Sequence, residues 1–275
     1  MANEPPFFET YKAIFQRSAV EKKKSTIVDA FEELEIPLID LGHLNLGPFE
    51  RQECIKKMAR AAVEWGFFQI VNHGIPEELL TRLKQEQIKV FQQPFDKKSE
   101  DNFLNLSVQS YRWGNPLATC LRNLSWSEVL HISLNDISKM DEYNKLRKLG
   151  YQSELLQREL LADLELSSIE QIPSVSIFFH DLKRNGRWVS VKPNPETLVV
   201  NIGDFYQALS NGVYKSITHR VIANQECERY SAAYFYCPTY ETVIESCSNP
   251  NLYRKFSFKE YREQIQKDVK LLGTK

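Results

Sequence analysis

Glycine is scarce in this chain: 10 of 275 residues, about half the usual share of roughly 7%. Strand-rich domains normally place glycine in their turns. Either the fold is rich in helices, or a turn-rich piece is missing. Paired cysteines are lacking too. Cys54, Cys120, Cys227, Cys237 and Cys247 are scattered, odd in number and form no C-x-x-C. That argues against a disulfide framework or a zinc site, and for reduced thiols in a cytosolic protein. Neither sign of charge dominates: 35 Lys and Arg stand against 36 Asp and Glu, a net charge of -1. No basic excess points to nucleic acid, and no acidic tail points to disorder. No apolar run approaches the roughly 18 residues a membrane span needs. The longest, such as "FFQIV", are strand-sized. The start, "MANEPPFFETYKAIFQ", has no basic opening followed by an apolar core, so no secretory signal is expected. These absences predict a cytoplasmic protein without nucleic-acid or membrane partners, and a monomer is expected.

What is present is an ordinary globular balance, 42% hydrophobic and 26% charged. "EIPLIDL" (35–41) alternates around a proline, which suits an edge strand. In "PFERQECIKKMARAAVEWG", Ile55, Met58, Ala62 and Trp65 recur at three- and four-residue steps. The spacing predicts an amphipathic helix that ends at Gly66. "FFQIV" then reads as a buried strand and "NHGIP" as a turn, in which His73 serves the backbone. Pro76 opens a second helix with Glu77 and Glu78 in its first turn, and Leu80, Leu83, Ile88 and Phe91 facing a core. A third helix is predicted over about 140–164. Residues 166–186 contain the β-prone "VSIFF" but no clear period. Strands follow: "RWVSVKP", "TLVVNI", "YKSITHRVI" and "RYSAAYFYCP". The tail "SFKEYREQIQKDVKLLG" is a helix opened by a Ser257–Glu260 capping box. Helices, then strands, then a closing helix make an α+β chain.

The stretch "HRVIANQECERYS" carries the chemistry. Side chains alternate along an extended chain, so Arg229 and Ser231 would share one face of a strand. A guanidinium grips a carboxylate with two parallel bonds, and a hydroxyl two residues on adds a third. His219, on the strand before, offers a neutral imidazole to a metal. Taken alone, an isolated strand histidine is more often an ordinary hydrogen-bonded residue, and Arg-x-Ser is a weaker signal still.

The surrounding sequence changes that weighting. "NIGDFYQALSNGVYKSITHRVIAN" followed by Arg229 and Ser231, together with "IPLIDL" and "GFFQIVNHGIP", resembles the plant 2-oxoglutarate- and Fe(II)-dependent dioxygenases. "YRWGNP", "SWSEVLHI" and the tail "ESCSNPNLYRKFSFKEYREQIQKDVKLLG" are similar to the gibberellin 2-oxidases, especially those acting on C20 gibberellins. The resemblance implies a double-stranded jelly roll with helices packed outside it. It implies Fe(II) held by two histidines and one carboxylate, 2-oxoglutarate as cosubstrate and ascorbate as reductant. The metal-ligand role falls on His219, and Arg229 and Ser231 take the far carboxylate of 2-oxoglutarate. The implied reaction is 2β-hydroxylation of a gibberellin, a diterpenoid acid, which inactivates the hormone.

One part of that pattern is missing. The first two metal ligands of the family come as His-x-Asp. The histidines here lead "HLN", "HGI", "HIS", "HDL" and "HRV", and none is His-x-Asp. The family's "RYPP" stretch is absent as well. The gap falls at 166–186, where several jelly-roll strands are expected. His180 and Asp181 are adjacent and would face opposite ways on a strand, and Glu170 is a candidate only if its segment folds inward. The expected organisation is an N-terminal dioxygenase region (1–135), a linking helix (136–165), a shortened bridging segment (166–186) and the C-terminal jelly-roll part with its closing helix (187–275). Two functions stand open: a dioxygenase impaired in this chain, or a non-catalytic isoform or paralogue that binds a ligand or partner.

Overall fold

The computed structural model describes residues 4–21, 33–106, 108, 110–116, 118–121, 124–125, 127–133, 168–171, 180–221 and 228–272. The predicted helix over about 140–164 and the strand "VSIFF" lie outside them. In chain order come helices α1 (Phe7–Thr10) and α2 (Lys12–Glu21) and strands β1 (Glu33–Leu34) and β2 (Leu38–Asp40). Helix α3 (Pro48–Glu64), strand β3 (Phe67–Val71) and helices α4 (Glu77–Phe91) and α5 (Phe95–Lys98) follow. Next are strands β4 (Tyr111–Trp113), β5 (Glu128–Leu130), β6 (Ser168–Gln171), β7 (His180–Arg184), β8 (Arg187–Val191) and β9 (Leu198–Asn201). The chain closes with α6 (Asp204–Leu209), β10 (His219–Val221), β11 (Ala232–Phe235), β12 (Val243–Ile244), β13 (Phe256–Ser257) and α7 (Phe258–Leu272). Among the described residues, no helix is long and apolar enough to cross a membrane.

Two compact units result. One takes residues 1–28, 81–152 and 263–275, and the other takes 29–80 and 153–262. The units cut across the sequence regions, because residues 29–80 join the strand-bearing half.

In the first unit, Trp113 is ringed by Phe7 and Phe95, both edge-on at 5.3 and 5.6 Å. Beneath it lies a polar network. Lys98 is fully buried, and its ammonium donates to the Phe91 carbonyl at 2.6 Å and pairs with Glu128 at 2.5 Å. Tyr111 donates to the same carboxylate. Burial, together with that neighbouring carboxylate, pushes the Tyr111 hydroxyl well above its ordinary pKa.

The second unit holds two larger sheets and the two-stranded pair β12-β13. One runs β1-β8-β7-β10, and the other runs β11-β6-β9-β3-β2. Strand β2 lies at an edge, as its proline required, and pairs in parallel with β3. The five-stranded sheet is covered on both faces. Phe68, Ile70, Leu198 and Val200 pack with Cys54, Met58, Ala61 and Ala62 of α3. Phe67 and Val199 pack with Leu182 and Val191 of the other sheet. Double coverage explains why "FFQIV" and "TLVVNI" carry apolar side chains on both faces rather than alternating, with the buried Gln69 donating to the Lys192 carbonyl at 3.4 Å. Within 166–186, the described residues supply β6, seated between β9 and β11, and β7.

One expected face is corrected. Helix α3 buries Cys54, Met58, Ala61 and Ala62, while Ile55 is 46% exposed. Met58 and Ala62 are buried as the spacing predicts, and the stripe differs in taking Cys54 and Ala61 in place of Ile55. The stripe with small residues lets the helix lie closer to the sheet. Gly66 ends the helix with φ 62°, its amide donating to the Ala61 carbonyl and its own carbonyl accepting from Ile202. The Ser257–Glu260 capping box forms in full: Ser257 N donates to Glu260 Oε2 at 2.6 Å, and Glu260 N to Ser257 Oγ at 3.2 Å.

A Cβ at Gly66 would sit 2.0 Å from the Lys215 carbonyl oxygen. Gly66→Ala is therefore expected to lose more than the about 1–2 kcal/mol of a left-handed backbone alone. A urea titration measures this. A midpoint equal to wild type would mean the strand and helix are not locked here.

Candidate functional site

His219 begins β10 and projects between the two sheets. Its ring lies 5.8 Å from that of Phe67, centroid to centroid, and its Nδ1 is 3.1 Å from the Ile217 carbonyl oxygen and 3.5 Å from Asn201 Nδ2. A carbonyl only accepts, so Nδ1 carries the hydrogen in that bond. In that tautomer Nε2 keeps its lone pair, as a histidine ligand requires.

Arg229 and Ser231 sit just before β11, the first half-buried and the second exposed. The regular strand starts at Ala232, so the shared-face reading of these two residues falls on the approach to the strand. Strands β10 and β11 belong to different sheets. His219 and the Arg-Ser pair are thus carried on separate layers of the sandwich. They are not neighbours along one ladder.

The replacement candidates fare differently. Asp181 is 0% exposed and fully engaged. Ser190 Oγ donates to its Oδ1 at 2.7 Å, and Arg220 Nε donates to its Oδ2 at 2.9 Å. Asp181 stands opposite Arg220 in the ladder, and His219 stands opposite Leu182, so Asp181 and His219 occupy opposite faces of the sheet. In the backbone register His180 pairs with Val221, and Glu170 lies between Val199 and Ala233. Among the described residues, no three His, Cys, Asp or Glu side chains gather as a metal site.

The Ser190–Asp181–Arg220 chain was missed in the sequence, although a signal for it was there. Asn185-Gly186 is a two-residue hairpin turn, with φ 49° and 80°. Counting back from Arg184 opposite Arg187 puts Asp181 opposite Ser190.

His73 behaves as the turn reading requires. Its Nδ1 accepts from the Ile75 amide at 3.2 Å. Burial lowers its pKa below the ordinary histidine value.

Known proteins resemble the chain over its whole length. Residues 36–149 match the family described as non-haem dioxygenase in morphine synthesis N-terminal, and residues 165–238 match the 2OG-Fe(II) oxygenase superfamily. "Gibberellin 2-beta-dioxygenase 8" of Arabidopsis thaliana is 39% identical, with 99% of this chain and 96% of that protein covered. "Gibberellin 2-beta-dioxygenase 6" of Oryza sativa subsp. japonica is 35% identical, with 100% and 95% covered. Among solved structures, JOX2 in complex with 2OG, Fe, and JA superposes with a TM-score of 0.60 at 26% identity, covering 91% of this chain and 92% of that one. The rice dioxygenase for auxin oxidation superposes at 0.63 with 18% identity, covers 85% of this chain and 95% of that one, and bears on the fold alone. The alignment to the Arabidopsis protein spans 328 positions against a chain of 275, so at least 53 of those positions have no residue here.

The lowered pKa of His73 fixes a sign. The unfolded histidine takes up a proton near its ordinary pKa of about 6.5, while the folded one stays neutral to lower pH. Stability is therefore expected to fall as pH drops through that window, and His73→Asn should remove one proton's worth of the slope. Thermal melts of both proteins between about pH 7 and 5 measure it, and parallel slopes would contradict it.

Proposed function

The chain belongs to the 2OG-Fe(II) oxygenase superfamily, and from that premise we propose that its function class is 2β-hydroxylation of gibberellins, impaired in this particular chain. The full-length likeness to gibberellin 2-beta-dioxygenases carries the first part. The absence of His-x-Asp anywhere in the sequence carries the second. Fe(II) and 2-oxoglutarate are the cofactor and cosubstrate of the family.

In this reading His219 is the surviving iron ligand, and its Nδ1 bond to the Ile217 carbonyl supports that role by leaving Nε2 bare. Arg229 takes the far carboxylate of 2-oxoglutarate through its planar fork, with the Ser231 hydroxyl beside it. The substrate is a small diterpenoid acid of the C20 gibberellin class. Among the described residues, none completes the full metal site. One histidine fits, while Asp181 is tied to Ser190 and Arg220 on the opposite face. Affinity for Fe(II) depends on ligand number and geometry, so a one-histidine site holds it poorly. The same shortfall favours a second reading, a non-catalytic isoform or paralogue that binds a gibberellin without oxidising it.

The test supplies purified protein with Fe(II), ascorbate, 2-oxoglutarate and a C20 gibberellin, and follows product by mass spectrometry. Even loss of groups that merely support metal ligands costs about 10–100-fold, so turnover is expected at least about 100-fold below a full-length relative. Turnover matching the relative would overturn the impairment. Metal-independent gibberellin binding without product would favour the second reading.

A further inference from the structure

We propose that Asp181 is a positioning residue for His219, acting through Arg220 from the opposite face of the sheet. Strand β10 is described over His219–Val221, and among the described residues it has a ladder partner on one side only, β7. A strand that slips by one residue turns every side chain to the other face. For β10, a one-residue slip would take His219 out from between the sheets and put Arg220 in its place.

The side chains on the opposite face stand against that slip. Ser190, Asp181 and Arg220 stand directly opposite one another on β8, β7 and β10. Each is joined to the next: Ser190 Oγ to Asp181 Oδ1 at 2.7 Å, and Arg220 Nε to Asp181 Oδ2 at 2.9 Å. The guanidinium also lies 4.2 Å from the centroid of the Trp188 ring, which belongs to β8. Arg220 is thus held by a carboxylate from the neighbouring strand and an aromatic face from the strand beyond. The carboxylate is itself fixed, because both of its oxygens are used and it is fully buried. A buried carboxylate is retained only where it is paired and hydrogen-bonded, and here the pairing runs across three strands in one register. Arg220 is bonded directly to His219 in the chain, so locking one locks the other to the inner face. There His219 meets Phe67 and Asn201. Asp181, one of the sequence's candidates for a replacement iron ligand, thereby gains a different role. It aims the histidine that remains.

The functional meaning rests on His219 being the iron-site histidine, but the test reads the ring itself and is independent of turnover. Long-range proton–nitrogen spectra of 15N-labelled protein distinguish the two imidazole tautomers, with His219 assigned through His219→Gln. In wild type, His219 is expected with Nδ1 protonated and with ring contacts to Phe67. His73, whose Nδ1 accepts a bond, is expected in the opposite tautomer and reports on the fold. Asp181→Ala should mix the tautomers of His219 and abolish its contact to Phe67 while His73 is unchanged. Asp181→Asn, which keeps an acceptor for Arg220, should fall between the two. An unchanged His219 spectrum in a folded Asp181→Ala protein overturns the proposal. If Asp181→Ala also disturbs His73, Asp181→Asn decides. A change confined to His219 supports the positioning role, and no change, or loss of both signals, overturns it.

Discussion

The two-residue turn Asn185-Gly186 sets the register on which the rest of the sheet depends. Both residues have positive φ, as a hairpin of this tightness requires. The turn pairs Arg184 with Arg187, and the count from there brings Asp181 opposite Ser190. Strand β10 then adds to β7 with Arg220 opposite Asp181, and His219 falls on the inner face. A one-residue change at the turn would exchange the two faces and separate the buried aspartate from its arginine.

The second constraint is the covering of the five-stranded sheet on both faces. Helix α3 takes one side and the four-stranded sheet takes the other. This sandwich gives His219 a half-dry position between layers, where an imidazole can be held by a backbone carbonyl. Gly66 makes the junction possible. It turns the chain from α3 into β3 where any Cβ would strike the Lys215 carbonyl.

Much of this was legible in the chain. The capping box at Ser257, the helix stop at Gly66, the buried runs of β3 and β9 and the turn role of His73 all follow from local chemistry, and local chemistry is what a sequence displays. The α+β order and the jelly-roll family were legible from motifs in their places. What escaped was long-range. Whether β10 and β11 share a ladder depends on which strands reach them, and no local pattern specifies that. The choice between Cys54 and Ile55 as the buried stripe of α3 turned on how closely the helix approaches the sheet, not on hydrophobicity. Asp181 looked like a spare ligand because Arg220 is 39 residues away in sequence, and the hairpin that brings Ser190 to it went unread. His219 was singled out by its motif, and its bond to the Ile217 carbonyl came only from the fold.

In the proposed reading, one histidine survives where the family holds iron with three ligands. Titration of Co(II), a redox-stable substitute for Fe(II), into the folded protein with 2-oxoglutarate present tests it most directly. Visible absorption and calorimetry are expected to show no stoichiometric site. One Co(II) bound per chain, with a ligand-field band lost in His219→Ala, would contradict the claim and point to a site completed by other residues of this chain.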